Sequence, residues 1–192
     1  MKFIKRIQYN APATLTFALI SLLVLGISFI SGGKSDILLF SVYRSPLSDP
    51  LGYIRVFTHV LGHAGIEHYF SNFMLILLLG PIIEERYGSG RILAMMAVTA
   101  FLTGMINIIL FPGVMLLGAS GIVFMMIILS SFVSLKSGRI PVTFILVVGV
   151  YVGREIFYGI TIQDNISRLS HIAGGVCGGG IGYYLNRSKL KS

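Results

Sequence analysis

Charge is scarce in this sequence: only 11% of its 192 residues are Asp, Glu, Lys or Arg, where a soluble domain carries about a quarter. Hydrophobic residues make up 55% and the mean hydropathy is +0.86. A soluble protein of this size cannot hide that much apolar surface, so lipid is the expected solvent. Tryptophan is absent, and cysteine occurs once, at Cys177, which excludes an internal disulfide. Acidic residues number 7 against 15 Lys and Arg. The basic residues form no stripe of the kind that grips a nucleic acid, and their distribution reads as membrane topology. No internal repeat, low-complexity tract or second domain is visible.

What is present is a series of six apolar runs, near 14–30, 69–83, 92–111, 119–135, 141–158 and 169–185. Each is close to the roughly 20 residues that span a bilayer, the second being short. Lipid leaves an open strand without hydrogen-bond partners, so these runs are expected to be helices. The first follows Lys2, Lys5 and Arg6, as in a signal peptide. Its apolar stretch is longer than a typical signal core and no small-residue cleavage site follows, so it is expected to be retained. With a cytoplasmic N-terminus, the inside segments hold Lys2, Lys5, Arg6, Arg86, Arg91, Lys136, Arg139, Arg187, Lys189 and Lys191, ten of the 15 basic residues. The outside segments hold the other five, Lys34, Arg44, Arg55, Arg154 and Arg168. The excess favours both termini in the cytoplasm. The longest connection, 31–67, is rich in apolar residues and is expected to be a structured segment in the outer interface.

Polar residues at the starts of these runs are the candidates for chemistry, because such groups are costly at membrane depth. In this topology runs two, four and six all begin on the outer side. His68 and Asn72 stand at the start of the second, Ser120 at the start of the fourth and His171 just inside the sixth. A serine hydroxyl needs a base to take its proton, and histidine is the usual one. Ser120 at a helix N-terminus has free backbone N–H groups and the positive dipole end beside it, which favours an oxyanion. His68 and Asn72 are four apart, share a helix face and can both donate to that oxyanion. No acid accompanies His171 in its run, so a Ser–His dyad is expected. Gly174, Gly178 and Gly182 recur every four residues, and with Gly118 and Gly121 beside Ser120 they suit close helix packing.

The ordered motifs resemble those of the rhomboid family of intramembrane serine proteases, in a minimal six-span bacterial form. They are Arg55 with Thr58-His59-Val60-Leu61-Gly62-His63; His68-x-x-x-Asn72; Glu84-Glu85-Arg86-Tyr87-Gly88-Ser89; Gly118-Ala119-Ser120-Gly121; and His171-x-x-Gly174-x-x-x-Gly178. The resemblance covers about 55–185. It implies an all-α polytopic membrane protein, a single compact rhomboid-like bundle over 1–192 with six transmembrane helices. It also implies Ser120 as nucleophile, His171 as base, and the Ser120 N–H, His68 and Asn72 as oxyanion hole. Arg55, His63, Glu84, Arg86, Gly118, Gly121, Gly174 and Gly178 would support the site. The implied substrates are transmembrane helices of other membrane proteins, cut near their outer end. The expected location is a bacterial inner membrane, with lipid around the bundle, no cofactor, no metal and no nucleic acid. Three positions depart from the family pattern. Ile54-Arg55 stands where Trp-Arg is frequent, Ser170 where Ala usually precedes the base, and Phe124 where a Tyr often packs on the His.

Other readings of the same residues exist. A catalytically inactive relative that binds membrane-protein clients would share the motifs, although loss of Ser120 or His171 would be its obvious mark. A small transporter or channel would line a path with polar groups, but here they stop in one leaflet. His59 and His63 at i, i+4 have zinc-ligand spacing, yet no H-E-x-x-H accompanies them.

Overall fold

The computed structural model describes residues 8–133, isolated positions between 142 and 153, and 165–190. The expected fifth run, 141–158, therefore lies almost wholly outside the described residues. Every regular element described is helical: α1 Pro12–Ser31, α2 Pro50–Thr58, α3 Ile66–Tyr87, α4 Ser89–Leu110, α5 Ser120–Val133 and α6 Asn165–Leu190, with a π-helical turn at Asp36–Phe40. Among the described residues the one isolated extended pairing is an antiparallel bridge between Val42 and Leu116.

Three helices, α1, α3 and α4, are long and apolar enough to cross a membrane. At about 1.5 Å per residue they extend roughly 30 Å, the thickness of a hydrocarbon core. The second apolar run is the middle of α3, which starts at Ile66 and ends at Tyr87. It reads short in the sequence because Glu67, His68, Glu84 and Glu85 stand in its terminal turns. The α5 helix is apolar but shorter, and the sixth run lies inside α6.

Exposure separates core from periphery. Ile122, Met125, Met126 and Leu129 of α5 are fully buried, so this helix runs through the middle of the described bundle. Leu23, Met74, Leu78 and Ile109 are each more than 60% exposed and form the apolar exterior that a lipid solvent requires. The direction of packing follows from glycine contacts. A Cβ on Gly174 would lie 2.0 Å from Gly121 O, one on Gly178 2.4 Å from Met125 O, and one on Gly182 2.3 Å from Phe132 Cδ2. Position rises together on both helices, so α5 and α6 run parallel, in backbone contact near their starts. Thr103 touches Gly121, while Thr99 meets Cys177 farther along α6, so α4 runs antiparallel to that pair.

The ends of α1 and α3 are closed by one carboxylate. Glu84 accepts the Ala13 and Thr14 N–H groups at 2.8 and 2.9 Å, the Thr14 hydroxyl at 2.8 Å and the Ser89 hydroxyl at 2.7 Å. The Glu84-Glu85-Arg86 segment reads from sequence as a solvated helix end. The structure instead buries Glu84 to 4% exposure, because it supplies the acceptors that the first turn of α1 lacks.

Candidate active site

Segment 31–67 is folded around Arg55, which is 2% exposed. Its guanidinium donates to Leu38 O and Ser45 Oγ, both at 3.2 Å, pairs with Asp49 and lies 4.4 Å from the centre of the Tyr43 ring. Asp49 in turn caps α2 by accepting the Leu51 N–H. Its hydrogen bond with Arg55 holds its carboxyl below the usual range. No tryptophan is needed to close this loop, because one arginine gathers carbonyl, hydroxyl, carboxylate and aromatic partners.

The loop is stapled to the strand-like segment that leads into α5. Val42 and Leu116 exchange both backbone hydrogen bonds, at 2.8 and 2.9 Å, and Asn107 donates from α4 to Val42 O and Val114 O. The Gly118 N–H donates to His59 O at 2.9 Å. The Ala119 N–H donates to His63 Nε2 at 3.4 Å. Since His63 Nδ1 faces Leu61 O at 3.2 Å, Nδ1 carries the proton and Nε2 is free to accept. Burial, with the nearby His68 adding to it, pushes His63 down from 6.5 to about 4, and burial pushes His59 down to about 4. Both rings are therefore neutral at ordinary pH. Their nitrogens face different partners: His59 bridges Val56 O to Thr103 Oγ1, while His63 bridges Leu61 to Ala119. They do not converge as a zinc pair would.

Two amides before Ser120 are thus taken by histidine-loop acceptors, and Ala119 O accepts the Val123 N–H at 3.0 Å. This makes Ala119 the cap and Ser120 the first residue of α5. The Ser120 N–H stands in the first turn, where no intrahelical acceptor exists.

His68 meets this corner from α3. Gly118 has φ 123°, a conformation that favours glycine, and a Cβ there would come within 2.6 Å of His68 Cε1 and 2.8 Å of Nε2. His68 Nδ1 accepts the Ala64 N–H at 3.4 Å, which leaves the proton on Nε2, the nitrogen beside the Ser120 corner. Asn72, 5% exposed, directs Nδ2 to His68 O at 3.0 Å, so one of its two N–H bonds is committed and one remains.

His171 lies in the second turn of α6, half-buried. Its ring stacks on Phe124 with centroids 4.3 Å apart and planes 6° from parallel. Phe124 is one turn past Ser120, so both occupy the same face of α5. The seam at Gly121 and Gly174 lies between them. The starts of α3, α5 and α6 therefore meet at one end of the bundle, bringing His68, Asn72, Gly118, Ser120 and His171 into one neighbourhood. Glu84 and Arg86 are at the other end of α3, about 24 Å along the axis for 16 residues, and do not join it.

One set of residues escaped the sequence reading. Thr99, Thr103 and Asn107 are 0%, 3% and 1% exposed, with Thr103 touching both the His59 ring and Gly121. The available signal was a polar stripe at i, i+4 and i+8 inside the apolar run 92–111.

Two comparisons with known proteins bear on this site. A family model described as the Rhomboid domain matches residues 50–188. The chain is also similar to a protein named rhomboid protease GluP from Bacillus subtilis (strain 168), with 28% identity over 180 residues. That alignment covers 88% of this chain and 34% of the relative, so the chain spans about a third of the relative's length.

Proposed function

The chain belongs to the rhomboid family, and from that premise we propose that it is an intramembrane serine endopeptidase using Ser120 and His171 as a dyad. The observation that carries the reading is the meeting of three helix starts, with His171 stacked one turn from Ser120 and His68 against Gly118. Ser120 Oγ attacks the scissile carbonyl carbon while His171 takes the hydroxyl proton. The carbonyl oxygen becomes an oxyanion that the Ser120 N–H, His68 Nε2–H and the second Asn72 N–H are suited to receive. His171 then gives its proton to the departing amine. Water, deprotonated by the same imidazole, releases the acyl group and restores the serine.

Substrates under this reading are transmembrane helices of other membrane proteins, cut near their outer end. The chain forms a single domain of six spans with both termini cytoplasmic, in a bacterial inner membrane, and its site opens outward. Arg55 and His63 hold the first loop against the Ser120 corner. Gly118, Gly121, Gly174 and Gly178 permit the close approaches, and Glu84 and Arg86 support the opposite end.

The test is cleavage of a single-span substrate with a destabilised helix top, in liposomes, by wild type and by Ser120→Ala and His171→Ala. Loss of cleavage by about 10⁴-fold or more in either variant, with loss of fluorophosphonate labelling, supports the dyad. Cleavage that survives Ser120→Ala removes this serine from the role. Binding of the substrate without cleavage or labelling by wild type favours the client-binding alternative.

A further inference from the structure

At the end of the bundle opposite Ser120, a groove lies between α4 and α6. The first turn of α4 lies beside the later turns of α6, as their antiparallel packing requires, and between them is a groove of about 410 Å³. Its walls include Arg91, Met95 and Val98 on one stripe of α4, and Gly180, Ile181 and Tyr184 on α6. The groove is open along its side rather than enclosed. The walls are apolar apart from the two ends of Arg91 and Tyr184.

Two features make this more than ordinary lipid-facing surface. The first is Gly180. Among the described residues a Cβ there would meet nothing within 4 Å, whereas one at Gly174 or Gly178 would collide with α5 backbone. Glycine at 180 is thus not required by packing among the described helices, and its effect is to deepen the groove between α4 and α6. The second is charge. Arg91 is exposed, and its one hydrogen bond among the described residues is from Nη1 to Tyr87 O at 3.4 Å. Among the described residues the one salt bridge is Arg55–Asp49, so Arg91 has no carboxylate partner there. Of the two acids at this end, Glu84 is occupied by α1 and Glu85 is exposed. Arg86 adds a cation, and the sequence places Arg187, Lys189 and Lys191 just past Tyr184. An apolar slot ending at an unpaired arginine is complementary to an amphiphile with an anionic head.

We propose that the α4–α6 groove holds an acyl chain of an anionic phospholipid whose phosphate pairs with Arg91. The proposal rests on the membrane reading but not on protease activity. The chain lies along Met95, Val98 and Ile181, and the guanidinium takes the phosphate oxygens in the two-pronged geometry that suits this pair.

The test is native mass spectrometry of the full chain released from detergent, with equal amounts of phosphatidylglycerol and phosphatidylcholine. Wild type is expected to retain one phosphatidylglycerol in preference to phosphatidylcholine. Arg91→Gln should reduce that preference about fivefold, the effect of one basic residue at an anionic surface. Gly180→Leu should reduce retention of both lipids by filling the slot, with helix content by circular dichroism unchanged. Equal retention of the two lipids by wild type would overturn the proposal. So would an unchanged preference in Arg91→Gln, or an equal loss in Arg86→Gln, which would mean diffuse attraction rather than this groove.

Discussion

At the Ser120 end of the bundle, polar groups from α4 and from the segment between α2 and α3 converge on main-chain atoms: His59 O on Gly118, His63 Nε2 on Ala119, and Asn107 on Val42 and Val114. At the Arg91 end, Glu84 alone gathers four hydrogen bonds and a groove lies between α4 and α6. The first arrangement constrains the position of a backbone segment from several directions, and the second closes helix termini and leaves the rest to lipid. Positional demands differ accordingly. A nucleophile, its base and its oxyanion donors lose about 10²-fold for a 1 Å displacement, whereas a terminus needs only its donors satisfied.

Glycine substitutions on α6 break the comparison most sharply. Gly174→Ala drives a methyl against Gly121 O, which is backbone and cannot swing aside. It is expected to separate α5 from α6 and reduce cleavage at least 100-fold, with a lower melting temperature. Gly180→Ala, six residues along the same helix, meets no described residue and should leave cleavage unchanged and the melting temperature equal or slightly higher. Paired measurements of both quantities on the two variants decide it. Next in size is His68→Ala, which removes the Nε2–H beside the Ser120 corner. It should reduce kcat by about 10²–10³-fold with little change in KM, in steady-state cleavage of a fixed substrate.

Glu84→Ala sharpens the contrast from the other end. It strips acceptors from two amides and two hydroxyls and is expected to destabilise the protein by about 2 kcal/mol. Activity per folded molecule should be retained, which a denaturation series read alongside active-site titration would reveal. The last effect is one of pH. His59 and His63 resist protonation down to about 4 while docked, against 6.5 when free. A detached loop therefore binds protons that the docked loop refuses. Docking is at full strength above pH 6.5, weakens as pH falls towards 4 and levels off below. At pH 5.5 the loss is about 1 kcal/mol per histidine. Hydrogen exchange at Gly118 and Ala119 should show protection falling over that window, and Glu84-capped amides at Ala13 and Thr14 should not follow it.

Much of this was legible in the sequence, for reasons that differ by region. The apolar runs at 14–30 and 69–83 lie within α1 and α3, and 92–111 overruns α4 by one residue, because hydrophobicity over 15–20 residues is a local property. The resemblance to the rhomboid family is met by the family match over 50–188. Helix-start parity, rather than spacing, was what related His68 to Ser120, and the structure sets the His68 ring against Gly118. What stayed hidden was non-local. Nothing in the chain near Val42 announces Leu116 as its partner. Thr103 and Asn107 look like ordinary polar breaks in an apolar run until the loops they hold are in place. Glu84 reads as a charged helix end because its partners are 70 and 71 residues earlier.

That separation has a consequence for how the chain is made. At synthesis rates of about 5–20 residues per second, roughly 4–14 s pass between the emergence of Thr14 and that of Glu84. Throughout this interval the leading amides of α1 have no carboxylate to receive them, and water at the membrane surface must serve instead. The N-terminal end of α1 is thus held at the aqueous boundary while the rest of the helix enters lipid. When α3 arrives, Glu84 replaces that water and joins the first turn of α1 to the last turn of α3. One late-emerging carboxylate thus ties the earliest helix to its place in the bundle.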